Sequence, residues 1–509
     1  MNYEFSPKTK RFTLILMILG FLGMLIGFFT EKDYLHAVVL NEETGELHIS
    51  YHEDLSNDKK EEIKQRLITH SLEKHHVVLT MEEVIHDHHH DDSHAEEHYG
   101  HAHHHAGVEW HAVAVLAEGY INSHDHSAVE AVAHCIHSGE VALADSHHKR
   151  FWSNLTVNSL FFFGISLGAL FFLALQYATE AAWATVLKRV FEGVMSFLPI
   201  GSVLILLVLV AGALGLHHVY HWMDSSLYDP ADPHYDSIIA GKRGYLNPIF
   251  FFARTIVYLA TFYIFYQGFI KRSRLEDQQA DLSTHFTNYK KAALFLVFFA
   301  VFSTTMSWDW IMSIDTHWFS TLFGWYVFSG IWVSAMVMIT LVTLHLKRKG
   351  LLDQVNESHI HDLGKWVFAI SFLWSYLWFS QFMLIWYSNI PEEVTYYVIR
   401  IKEYKLLFFG TFMINFILPM VLLMSREAKR SYGILTVIGS IIFVGHWLDV
   451  YLMVMPGTVF EHWKIGALEV GMFLLFLGGF LFTILSALSK APLVVRNHPY
   501  IEESVHHHI

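Results

Sequence analysis

An all-α membrane protein with ten spans is the fold class this sequence predicts. Three observations predict it. Ten apolar segments have the length that crosses a bilayer core, about twenty residues each. Basic residues concentrate in alternate short loops, as in polytopic chains. The 509 residues are 53% hydrophobic and only 16% charged, with a mean hydropathy of +0.33. Such a composition fits a helical membrane protein with one soluble insert.

The first span is Phe12–Phe29, preceded by Lys8, Lys10 and Arg11. Phe28-Phe29-Thr30-Glu31-Lys32 offers no small-residue cleavage site, so the spacing predicts a retained helix rather than a removed leader. Residues 31–150 are the soluble insert. Acids at Glu61–Glu62, Glu82–Glu83, Asp91–Asp92 and Glu96–Glu97 supply much of the net charge of −14. Within the insert, Leu47–Tyr51 alternates like a strand, Asn57–Leu72 reads as a charged amphipathic helix, and Val108–Ile136 has helical periodicity. Between them lies a His-rich tract, His86–His105. Imidazole suits zinc, copper or nickel, but the irregular spacing fixes no ligand geometry, so no metal site is assigned. Nothing in the charge pattern suggests nucleic-acid binding. A single cysteine, Cys135, excludes an intrachain disulfide and a C-x-x-C-H haem attachment.

The other nine spans form the core, residues 151–490. They are Phe151–Tyr177, Val194–Leu216, Pro248–Ile270, Ala292–Met312, Phe319–Leu346, Leu363–Asn389, Leu406–Met424, Tyr432–Val454 and Ile465–Leu488. Lys188–Arg189, Lys271–Arg272, Lys290–Lys291, Lys347–Arg348–Lys349 and Lys429–Arg430 mark every second connection. The positive-inside rule then puts both termini in the cytoplasm and the insert outside. Residues 491–509 form a polar cytoplasmic tail whose His506–His508 run is read as incidental.

Polar residues within spans are the functional candidates, because a mid-span charge costs about 3 kcal/mol on insertion scales. Asp309, Asp315 and His317 cluster around the end of the fifth span. His446 and Asp449 lie three apart and share a face of the ninth, where an acid can position a histidine's proton. Glu469 lies in the tenth. These six are candidates for a proton path. Ser375, Trp378 and Gln381 form an aromatic and polar stripe on the seventh span, a candidate quinone pocket. Arg254 in the fourth span joins them as a quinone candidate or as the partner of an acid. His446 is the one histidine deep in a span, which argues against a bis-histidine haem within this chain.

Several of these motifs carry a family resemblance. Ser307-Trp308-Asp309-Trp310-Ile311-Met312-Ser313 runs into Thr316-His317-Trp318. His361-Asp362-Leu363-Gly364-Lys365 leads into the Trp374–Gln381 helix. Over residues 151–490 the chain resembles the smaller of the two NrfD/PsrC-like membrane subunits of alternative complex III. The resemblance implies two four-helix bundles with a flanking helix at each end, in a bacterial inner membrane. It also implies a quinol:cytochrome c oxidoreductase complex with an NrfD-like sister subunit, a multihaem cytochrome c and iron–sulfur subunits. A terminal oxidase and lipids are further candidate partners. Haem c and iron–sulfur clusters would then sit in the partners, with no cofactor of its own in this chain beyond quinone or quinol. Whether quinone binds here or in the sister subunit stays open. A metal-ion transporter using the His-rich insert and a purely structural scaffold are the competing readings.

Overall fold

The computed structural model describes residues 3–30, 35–41, 46–51, 61, 64–65, 68, 77–85, 108–116, 147–230, 235–278, 282–460 and 463–508. The chain divides into two units. One comprises Met1–Gly27 with Lys149–Ile509, and the other comprises Phe28–His148.

Among its described residues the larger unit is built of helices, and ten of them are long and apolar enough to cross a membrane. They are α1 (Pro7–Thr30), α2 (His147–Ala178), α3 (Ala182–Ala213), α4 (Pro248–Glu276), α5 (Leu282–Trp310), α6 (Phe323–Arg348), α7 (Glu357–Ser388), α9 (Lys405–Leu422), α10 (Tyr432–Val454) and α11 (Ala467–Leu488). Between α7 and α9 lies a short amphipathic helix, α8 (Pro391–Lys402). A last turn, α12 (Ile501–Val505), follows α11. Helices must satisfy their own backbone groups in lipid, which is why the apolar segments become helices. The ends are set locally. Asn247 caps α4 by accepting the Phe250 amide at 2.9 Å, with Pro248 in the first turn. Asn356 and His359 form a reciprocal cap on α7.

Burial separates centre from rim. The span of α2 is 94% buried and that of α6 78%, whereas α1 is 17% buried and α9 22%. Helix α6 packs on α5, α7 and α10. On the rim, α1 lies backbone to backbone against α11. A Cβ at Gly471 would come within 2.3 Å of the Met24 amide nitrogen. Small residues permit this approach where lipid offers no hydrophobic drive between helices.

Boundaries differ from the sequence expectation where charge is buried rather than solvated. Helix α3 starts twelve residues before the expected Val194, because Lys188, Arg189 and Glu192 are buried in ion pairs instead of marking the interface. Arg189 pairs with Glu192 at 2.5 Å and with Asp277, while Ser273 donates to Glu192. The polar tail also packs back on the helices. Ser504 Oγ donates to the Trp183 carbonyl at 2.9 Å, and His507 Nε2 meets Asp362 Oδ2 at 2.7 Å.

The smaller unit contains a four-stranded antiparallel sheet in the order β1-β2-β4-β3: β1 (Leu35–Asn41), β2 (Glu46–Tyr51), β3 (Val77–Ile85) and β4 (Val108–Leu116). Strand β2 coincides with the expected alternating segment. Glu61, Lys64, Gln65 and Ile68 are helical, in line with the expected amphipathic helix. The expectation of helix from Val108 onward is corrected. Val108–Leu116 is a strand paired on both sides, with Val108 opposite Tyr51 and Ile85. Its Val, Trp and Ala content suits a central strand, and a short apolar run does not fix its own period. The remaining expected helix, residues 117–136, and the His-rich tract lie outside the described residues.

Candidate functional site

Asp449 on α10 is 2% exposed and sits where α6, α7 and α10 converge. The Tyr326 hydroxyl on α6 donates to its Oδ1, and Trp374 Nε1 on α7 donates to its Oδ2 at 2.9 Å. Burial of a carboxylate is costly unless it is hydrogen-bonded, and these two donors supply that. His446 lies one turn earlier on the same face. Its Nδ1 is 3.8 Å from Asp449 Oδ2, beyond hydrogen-bond reach. The His446 ring is 1% exposed and neither nitrogen has a hydrogen-bond partner among the described residues. It meets Trp374 edge-on at 5.3 Å. Gly330 on α6 leaves this corner open, since a Cβ there would stand 3.6 Å from Asp449 Oδ2 and 3.9 Å from His446 Nδ1.

Two cavities meet at Asp449. One of about 40 Å³ is bordered by His446, Asp449, Gly330, Ser334, Met306 and Trp310. A water needs about 10–15 Å³ of such space, so it has room for about three waters. The other, of about 20 Å³, is bordered by Asp449, Tyr326, Trp378, Gln381, Tyr396 and Arg400. Gln381 is 2% exposed, and neither its Oε1 nor its Nε2 has a partner among the described residues. Trp378 closes this cavity by packing on Phe408 and Phe412, with ring centroids 4.9 and 4.7 Å away. Each cavity therefore holds one buried, unpartnered polar side chain, and Asp449 faces both.

Arg400 is the principal residue that the sequence reading passed over. It lies on α8, 2% exposed, with its guanidinium 3.3 Å from the Tyr396 ring centroid. Nε donates to the Leu452 carbonyl at 3.0 Å, and Nη1 to the Tyr396 carbonyl at 2.6 Å. The Leu452 carbonyl belongs to the last turn of α10, where unpaired carbonyls gather partial negative charge. A sequence signal did exist. Pro391 followed by Glu392 and Glu393, with Arg400 and Lys402 further on, is a helix start and stop pattern. Tyr326 carried no comparable signal.

The other sequence candidates are placed apart. Asp309, fully buried, is held by Arg254 from α4. Arg254 Nε and Nη2 each donate to Asp309 at 2.8 Å, and the Tyr258 hydroxyl adds a third bond at 3.0 Å. The same guanidinium lies 3.9 Å from the Tyr245 ring centroid. Arg254 thus serves Asp309 and does not border the Trp378 cavity. His317 Nε2 meets Asp236 Oδ2 at 2.6 Å on the exposed rim. Burial pushes the Asp315 carboxyl up, against the pull of Arg400, His317 and Lys242. Glu469 is fully buried, paired with Arg150, with Asn154 Nδ2 at 3.0 Å and the Gly466 amide at 2.8 Å. It caps α11. Ser375 Oγ bonds back to the Phe372 carbonyl of its own helix at 2.7 Å.

These positions assign three different roles. Asp309 and Glu469 have their oxygens filled by fixed donors and a cation. His317 and Asp236 tie a loop down. Among the sequence candidates, Asp449, His446 and Gln381 combine burial with adjacent free space. No protein-family model matches this chain, and no curated protein matches it either.

Proposed function

We propose that this chain is a proton-handling membrane subunit of a quinol-oxidising complex, with Asp449 as its protonatable centre. One observation carries the reading: Asp449 borders both buried cavities, with His446 facing one and Gln381 the other. A carboxyl group that faces two water-sized spaces can take a proton from one and pass it to the other. Intramembrane ionisable residues lining such spaces typically mark proton relays. His446 adds a second titratable group on the same face.

The wider assignment rests on the resemblance to the alternative complex III subunits and on the alternating loop charges. In that reading the chain sits in a bacterial inner membrane with its termini cytoplasmic. A sister NrfD-like subunit, a multihaem cytochrome c and iron–sulfur subunits carry the electrons. Quinone is a weaker fit to this chain. Gln381, Tyr396 and Trp378 have the chemistry to bind a quinone head group, but their cavity of about 20 Å³ has room for a single water, not a ring. No step is therefore routed through quinone here. A metal-ion transporter fits less well still. It needs ligand-type residues on neighbouring mid-membrane helices, whereas His446 and Asp449 share one helix, and the groups facing Asp449 from α6 and α7 are O–H and N–H donors. Purification through a tag on this chain separates the readings. Haem absorbance that follows the tag supports the respiratory complex, and a haem-free preparation of intact membrane assemblies would reject it.

A further inference from the structure

Far from Asp449, where α4 ends and α5 begins, a second cluster holds a different set of side chains. Glu276 is the last residue of α4, His285 lies in the first turn of α5, and His498 comes from the tail beyond α11. One ligand atom from each lies within 4.8 Å of the others. All three are buried, at 1%, 3% and 6% exposure. Both ring nitrogens of His285 lack a hydrogen-bond partner among the described residues, and so does Glu276 Oε1. The other oxygen of Glu276 takes Lys188 Nζ at 2.5 Å. The two imidazoles meet edge-on, with centroids 5.1 Å apart. Glu180 stands at the rim, its Oε1 3.9 Å from His285 Nε2. A space of about 20 Å³ adjoins the cluster.

We propose that Glu276, His285 and His498 bind a divalent transition-metal ion, zinc by ligand type, which fastens the C-terminal tail to the ends of α4 and α5. Two imidazoles and a carboxylate form a common zinc donor set, and a hard cation such as magnesium would demand mostly oxygens. Zinc bonds of about 2.0–2.2 Å place neighbouring ligand atoms about 3.3–3.5 Å apart, so the cluster closes by roughly 1 Å or less per side chain. Lys188 does not block the ion, because it occupies Oε2 and leaves Oε1 free. In that role it orients the carboxylate from behind. His498 imposes one condition. Its Nδ1 accepts the Tyr500 amide at 3.2 Å, and a neutral imidazole has a single lone-pair nitrogen. The metal must replace that hydrogen, so coordination remodels the Tyr500 turn. The Glu180 carboxylate or a water completes four ligands. The attachment adds to Arg496 N–Asp277 Oδ1 at 2.9 Å and to the Ser504 bonds that already hold the tail.

Hydrogen exchange on the full-length chain in detergent, with zinc chloride against EDTA, tests the site locally. Zinc at ten times its Kd should slow opening of segments 276–290 and 491–508 about tenfold, and magnesium should not. His285→Phe keeps a ring in place but removes the nitrogens, and Glu276→Gln removes the anionic ligand. Both should abolish the zinc effect. Deletion of residues 86–105 should leave it intact. The proposal is overturned if zinc leaves these segments unchanged in the parent. It is equally overturned if the protection survives His285→Phe, which would assign it to His506–His508, or vanishes with the tract deletion. None of these outcomes depends on the role of Asp449.

Discussion

Three residues that crowd together in sequence, Asp309, Asp315 and His317, go to three separate partners. Asp309 turns to Arg254, His317 to Asp236, and Asp315 feels Arg400. Sequence proximity at a helix end says little about direction, because each residue of a turn points differently. The pair His446 and Asp449 was legible because helical spacing alone puts them on one face. The donors Tyr326 and Trp374 were not, since they come from other helices. Two predictions belong at this scale. Gln381 has no partner for either amide atom, so Gln381→Leu removes a buried unsatisfied group and should leave thermal stability unchanged or higher. If a quinone head group docks in the cavity, the same variant should weaken quinol-analogue binding about tenfold, the loss of one hydrogen bond of about 1.5 kcal/mol. Unchanged affinity would remove quinone from this chain. The second concerns Asp315, whose folded pKa is raised above the usual 3.8 by burial. The native state holds this proton more tightly than the unfolded chain. The contribution to stability is fully present below 3.8 and is lost as pH rises through the raised value. Asp315→Asn should therefore match the parent in melting temperature near pH 4 and exceed it by a widening margin toward pH 7. A constant margin across that range would contradict the assignment.

At the scale of elements, hydropathy located all ten long helices because a bilayer leaves apolar segments few alternatives. It failed for α8, which is amphipathic and too short to span, and for the start of α3, where buried ion pairs look from sequence like an interface. The same blindness applies to the polar tail, which Ser504 and His507 dock on the helices. Element β4 was misread because its apolar run is shorter than the window that separates the two periods. The α1–α11 contact was equally invisible: glycines can be seen in both segments, but not that they face each other. Gly471→Ala tests this contact. Its methyl would meet the Met24 backbone at 2.3 Å, where no flexible side chain can give way. The expected cost is about 1–3 kcal/mol, as for overpacking elsewhere. It should appear as a lower melting temperature and as faster proteolysis of α1. A variant as stable as the parent would mean that α1 does not pack on α11 in this way.

Across the whole molecule, buried charge falls into two kinds. Arg254 with Asp309, Arg150 with Glu469, Lys188 with Glu276 and Arg189 with Asp277 are paired salt links between elements distant in sequence. Breaking such a pair leaves an uncompensated charge and typically costs 3–5 kcal/mol. Asp449 is the other kind, held by neutral donors and flanked by space. The fold was largely legible in the sequence and this distinction was not, because it depends on which helices meet. It also selects the most direct test, the proton-to-electron ratio of the complex in reconstituted vesicles. Asp449→Asn keeps shape: Trp374 can still donate to the amide oxygen, and the Tyr326 hydroxyl can turn to accept from the amide nitrogen. The account predicts that this variant assembles with normal haem content and passes electrons at a reduced proton ratio, and that His446→Gln shows a reduced ratio as well. Glu469→Gln should instead impair assembly, because it removes the anionic partner of the buried Arg150. A normal proton ratio in a correctly assembled Asp449→Asn complex would contradict the account.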